Sequence, residues 1–165
     1  MITAPTQGLG RNNIMAYDFI NSQIRSILNG LGFKIREANE PDFPLSYDNS
    51  SLDDQQTVRS VRALQKYFNL AQDGIVGPRT KAMAEQALDV IHYELDVVIQ
   101  PEPRLRPQAP LYGPQTAQAV SKFRRQYGFE PDGNPDTDRI ADLPVRRKLN
   151  DLTSRQTGEM AATIV

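Results

Sequence analysis

The sequence predicts an all-α protein built as tandem three-helix units that share a central helix. Three observations point there. Apolar residues recur at three- and four-residue steps in five segments, and Gly-Pro pairs stand where two of those segments begin. In addition, a shift of 59 residues (Pro44 onto Pro103) superposes Leu52 on Leu111, Thr57 on Thr116, Val61 on Val120 and Asp73-Gly74 on Asp132-Gly133. A unit made only of a loop, a helix, a turn and shared flanking helices buries its apolar face poorly alone, so the two halves are expected to form one folded body.

Residues 1–13 are rich in Gly, Thr, Asn and Pro and read as a loose arm. Phe19, Ile20, Ile24, Ile27, Leu28 and Leu31 then give one apolar helix face from about Tyr17 to Leu31, with Gly30 and Gly32 as its stop. Pro41 and Pro44, set among Asx and Ser residues, make 38–51 a loop. A second helix begins near Asp53 or Asp54 and presents Val58, Val61, Leu64, Gln65 and Phe68, with Arg59, Arg62 and Lys66 further along.

Asp73-Gly74 marks a turn, and Gly77-Pro78 opens the third helix, over about 78–93, because proline at the first helical position loses no hydrogen bond. Tyr112-Gly113-Pro114 opens the fourth, with Ala119, Val120, Phe123 and Tyr127. Pro131-Asp132-Gly133 is its turn, and Pro144 opens a fifth helix with Val145, Leu149 and Leu152. The expected organisation is an arm at 1–13, a first unit at 14–89, a second at 78–152 sharing the helix at 78–93, and a tail at 153–165.

Composition removes several kinds of chemistry. No Cys is present, so disulfides and thiolate metal sites are excluded, and His92 is the single imidazole. Helical spacing puts His92 near Leu88 and Leu95, as a partly buried histidine bonded to a carbonyl. The close acidic pairs, Asp53-Asp54 and Asp136/Asp138, stand at predicted helix starts, where capping explains them. No metal, cofactor or catalytic residue is expected, and the reading is of a protein that is not an enzyme. With 19 Lys+Arg against 20 Asp+Glu, nothing favours nucleic acid. No apolar run approaches the roughly 20 residues of a membrane span, and MITAPTQGLGRNN lacks the plan of a signal peptide.

The stretch LDDQQTVRSVRALQKYFNLAQDGIVGPRT resembles the peptidoglycan-binding domain family of bacterial cell-wall hydrolases and their phage counterparts. Thr57, Val61, Leu64-Gln65, Leu70, Asp73-Gly74-Ile75-Val76-Gly77-Pro78 and Thr80 carry the resemblance, and IRSILNGLGF matches the family's first helix. YGPQTAQAVSKFRRQYGFEPDG reads as a degenerate second copy. It has Asp136-Thr137-Asp138-Arg139 where the first has Gly77-Pro78-Arg79-Thr80.

The resemblance implies a small three-helix fold and a non-catalytic role in binding the peptide stems or glycan of murein. The ligand groove is expected beside the turn, from Arg62, Gln65, Asp73, Gly74, Gly77, Arg79, Thr80 and Tyr47. The amides of Gly74 and Gly77 would bond a stem peptide, and Arg62 or Arg79 would neutralise its carboxylate. Most of the same motif also has a local structural explanation in turn building and helix opening. The expected location is synthesis in the cytoplasm with delivery to the wall or incorporation in a phage-like particle. The alternative is a structural or adaptor protein that contacts protein partners in a larger assembly without affinity for murein.

Overall fold

Five α-helices and one 3-10 turn make up the regular structure of residues 16–33, 44–129 and 136–156, the parts of the chain that the computed structural model describes. The helices are α1 (Asn21–Gly30), α2 (Gln55–Tyr67), α3 (Pro78–Val98), α4 (Pro114–Gln126) and α5 (Leu143–Gln156). The all-α expectation holds. The arm at 1–13, the turn at 131–133 and residues 157–165 lie outside the described residues.

The first helix starts four residues later than its periodicity suggests. Upstream, the amide of Tyr17 donates to Glu85 Oε1 of α3 at 2.7 Å, and Phe19 is 3% exposed in the core, so the chain is held outside the helix up to Ile20, whose backbone is extended. Gln23 then caps the helix by accepting the Ile20 amide at 3.0 Å. Buried Arg25 stitches the following loop down. Its guanidinium donates to the carbonyls of Asp48, Ser50 and Ser51 and to Asp54 Oδ1. Asp54 in turn accepts the Thr57 amide as the cap of α2, and these bonds, with Thr57 foremost, hold its carboxyl down at about 2.

Both α2 and α4 have 13 residues, and both of their ends are displaced by the same 59 positions (Gln55 to Pro114, Tyr67 to Gln126). Each closes the same way. Asn69 (φ 59°) and Gly128 (φ 82°) take left-handed backbone, and the next amides donate back to Gln65 O at 2.7 Å and Arg124 O at 2.8 Å.

α3 runs to Val98, beyond the expected 78–93, because its apolar stripe continues through Leu95 to Ile99 under cover of the second half of the chain. Its first turns pack Thr80 and Ala84 against Ile24, Leu28, Val61 and Leu64 of α1 and α2. Further along, α3 makes the most extensive helix pairing of the fold, with α5. His92 ties it to the segment leading into α4, through Nε2 to Leu111 O (3.0 Å) and Thr116 Oγ1 (2.9 Å). α5 reaches Gln156, so the helix takes in the first four residues assigned to a tail, and Thr153 is buried.

The two halves interlock at the end of α1. Tyr112, fully buried, lies across Gly30 so closely that a Cβ there would stand 2.4 Å from its ring, and its hydroxyl donates to Arg139 O at 2.6 Å. The last carbonyls of α1 accept from later residues: Gly30 O from the Ala141 amide (2.7 Å), Leu31 O from Arg146 Nη1 (3.3 Å).

Candidate functional site

Gln65 organises the turn between α2 and α3. The side chain projects from the buried face of α2 at 1% exposure, and both ends of its amide are used. Nε2 lies within hydrogen-bond reach of Asp73 Oδ1 (2.9 Å), Ile75 O (3.0 Å) and Thr80 Oγ1 (3.1 Å), while Oε1 accepts the Gly74 amide at 3.0 Å. Asp73 Oδ1 also accepts the Ile75 amide, and these bonds, the Ile75 amide first, lower its pKa. One glutamine thus joins a helix, a turn and the opening of the next helix.

Gly74 needs to be glycine on two counts. Its φ is +74°, and a Cβ would meet Val58 Cγ1 at 2.8 Å and the Arg62 side chain at 3.2 Å. At Gly77 a Cβ would meet nothing within 4 Å, and its amide donates to Ile75 O at 3.0 Å. Expected to serve a ligand, the Gly74 and Gly77 amides here donate within the turn, to Gln65 Oε1 and Ile75 O.

Of the eight residues expected at the groove, the structure gathers Gln65, Asp73, Gly74 and Thr80 into this network, with Gly77 at its edge. Arg62 lies against Gly74 and is exposed; Arg79 is exposed beside the helix opening. Tyr47 is placed elsewhere. It belongs to the loop that Arg25 holds near Asp54, and Asp54 and Gln65 stand about 16 Å apart along α2 at 1.5 Å per residue. Sequence reasoning missed Ile75, whose side chain is 66% exposed at the tip of the turn between these two arginines in sequence.

Elsewhere the titratable groups have structural duties. His92 is buried, which lowers its pKa, and the carbonyl contact identifies Nε2 as the protonated nitrogen. Asp138 accepts from Ser121 Oγ and Arg125 Nη2. The loop around Arg104 is pinned to α3: Asp96 accepts the amides of Leu105 (2.7 Å) and Arg106 (3.0 Å), and its carbonyl accepts Arg104 Nη1. Among the described residues no cluster of three or more His, Cys, Asp or Glu is placed to hold a metal, and no helix is long and apolar enough to cross a membrane.

A second concavity, unforeseen in the sequence, lies between α3 and α5 where the end of α2 meets them. It has a volume of about 400 Å³, with Phe68, Met83, Ala87, Ile91 and Leu143 among its walls. Glu94 lines it at 4% exposure, and burial alone pushes its carboxyl up to about 7. Arg146 and Arg147 line it from α5. A signal did exist: Glu94 follows Ala87 and Ile91 at seven- and three-residue steps, so a charge sits within an apolar stripe.

Comparison with known proteins bears on the first half of the chain. Residues 22–83 match the model of the family described as "Putative peptidoglycan binding domain". The matched segment runs from α1 through the Gln65 turn into the opening of α3. No curated protein and no solved structure matches the chain.

Proposed function

We propose that the protein is a non-catalytic module that binds bacterial cell-wall peptidoglycan through the surface around the Gln65 turn. The observation that carries this reading is the family match over 22–83, which spans a segment where helix, turn and helix opening are tied by a single buried side chain. Because that network uses its own amides, murein contact falls to the exposed side chains around it. Arg62 and Arg79 pair with stem carboxylates, and Ile75 covers apolar ligand surface. Gln65, Asp73, Gly74, Gly77 and Thr80 position them.

The second half is a degenerate copy of the first. Equal helix lengths, equal offsets and the shared left-handed closure of α2 and α4 support this.

Sedimentation with purified insoluble murein at low salt tests the proposal. The folded protein is expected in the pellet, and its full retention in the supernatant overturns wall binding. A structural or adaptor role is the second reading, favoured by the exposure of Ile75, Tyr47 and Ile20 at 66, 62 and 52%. A stable larger assembly on native-size chromatography, without murein affinity, selects it.

A further inference from the structure

Glu94 is a nearly buried residue whose carboxyl opens onto a cavity. A carboxyl on a residue at 4% exposure ordinarily has a hydrogen-bond or ion-pair partner. Among the described residues Glu94 has neither, and burial is the single influence on its proton affinity. It faces the cavity between α3 and α5, so an unsatisfied acceptor lines a space large enough for a small ligand.

The facing helix supplies the opposite charge. Arg146 is held in place, its guanidinium 5.0 Å from the centre of the Tyr67 ring and 5.7 Å from that of Phe33, with Nη1 donating to Leu31 O. Its Nε is buried without a partner. Arg147 is exposed at the rim. Neither arginine forms an ion pair with Glu94, and apolar Met83, Ala87 and Ile91 line the same cavity.

We propose that the cavity between α3 and α5 binds a short peptide carrying both an aliphatic ammonium group and a free carboxylate, with the ammonium on Glu94 and the carboxylate on Arg147. Met83, Ala87 and Ile91 cover the methylene chain between them. Stem-type peptides have this chemistry, and choosing one as the probe rests on the wall-binding reading. Pairing of an ammonium with Glu94 does not depend on that choice.

The test is calorimetric titration of the full chain with Nα-acetyl-L-lysyl-D-alanyl-D-alanine and with the same peptide acetylated at Nε. The free amine is expected to bind at least tenfold more tightly than the acetylated form. Glu94→Gln should remove that preference, while Arg147→Ala should weaken both peptides several-fold. Binding of the free amine should also strengthen several-fold from about pH 6 to 8, as Glu94 loses its proton. The other ionisable residues that line the cavity are Tyr67, Arg146 and Arg147.

Ala87→Trp, which fills the cavity from a half-buried position, gives a second variant and should abolish saturable binding. Absence of saturable binding by the wild-type chain overturns the inference, as does equal affinity for the two peptides or an undiminished affinity in Glu94→Gln. Murein sedimentation is read separately. Pelleting without peptide binding removes the cavity and leaves the wall-binding surface, whereas peptide binding without pelleting does the reverse.

Discussion

Gln65 and Arg124 occupy the same place in two helices of equal length, yet they secure the chain that follows in different ways. Gln65 reaches the turn directly after its helix, at Asp73, Gly74 and Ile75, and then Thr80. Arg124, 5% exposed, reaches further on, to Ile140 O at 3.1 Å and Asp142 Oδ1 at 3.6 Å, with its guanidinium 5.6 Å from the centre of the Phe129 ring. A neutral amide can donate and accept at once; a guanidinium only donates. The first turn therefore closes on both its amide and its carboxylate, whereas Arg124 reaches only acceptors. A separate tie, Asp138 to Ser121 and Arg125, anchors the 3-10 turn to α4. The helix frame is alike in the two regions, and what differs is the polar hub.

The largest expected effect comes from the junction of the two regions. Gly30→Val pushes a side chain into the buried Tyr112 ring and should cost more than about 3 kcal/mol, read as loss of one cooperative melting transition in both halves together. Two separate transitions would show that the halves fold independently. The hubs come next. Gln65→Leu leaves the Gly74 amide buried without a partner and should cost about 3 kcal/mol in denaturant unfolding. Arg124→Leu removes one carbonyl bond and an ion pair to a part-exposed aspartate, and should cost about 1 kcal/mol less. Equal losses would break the distinction between the hubs.

Glu94→Gln acts with opposite sign. The folded-state pKa of Glu94 is raised from 4.5 to about 7, so its neutral form is favoured in the fold. Its relative contribution is best below pH 4.5, declines as pH rises and reaches its full penalty above about 7. The variant should gain on the order of 3 kcal/mol at pH 8, and the gain should vanish near pH 4. A gain independent of pH would contradict the burial argument. The smallest effect is expected at Gly77→Ala, where a Cβ meets nothing: less than about 1 kcal/mol.

Much of the first region was legible because its signals are local. Asp54 and Gly77-Pro78 placed the starts of α2 and α3 within two residues, and the motif contained Gln65 and its partners. The start of α1 was not legible, since the Tyr17 amide finds Glu85 far along the chain and so stays outside the helix. Nor was the internal use of the Gly74 and Gly77 amides, which depends on how the turn closes. The cavity lined by Glu94 exists only because α5 returns over α3, a pairing that periodicity within either helix does not encode. Tyr47 was drawn into the expected site by its residue type, but the fold holds it by the opposite end of α2.

The central claim is that the motif builds the turn while the exposed arginines beside it meet the wall. Murein sedimentation of the double variant Arg62→Ala/Arg79→Ala, with its melting temperature measured in parallel, tests this most directly. The claim predicts a several-fold loss of pelleted protein at an unchanged melting temperature. Undiminished pelleting by a fully folded double variant would contradict it.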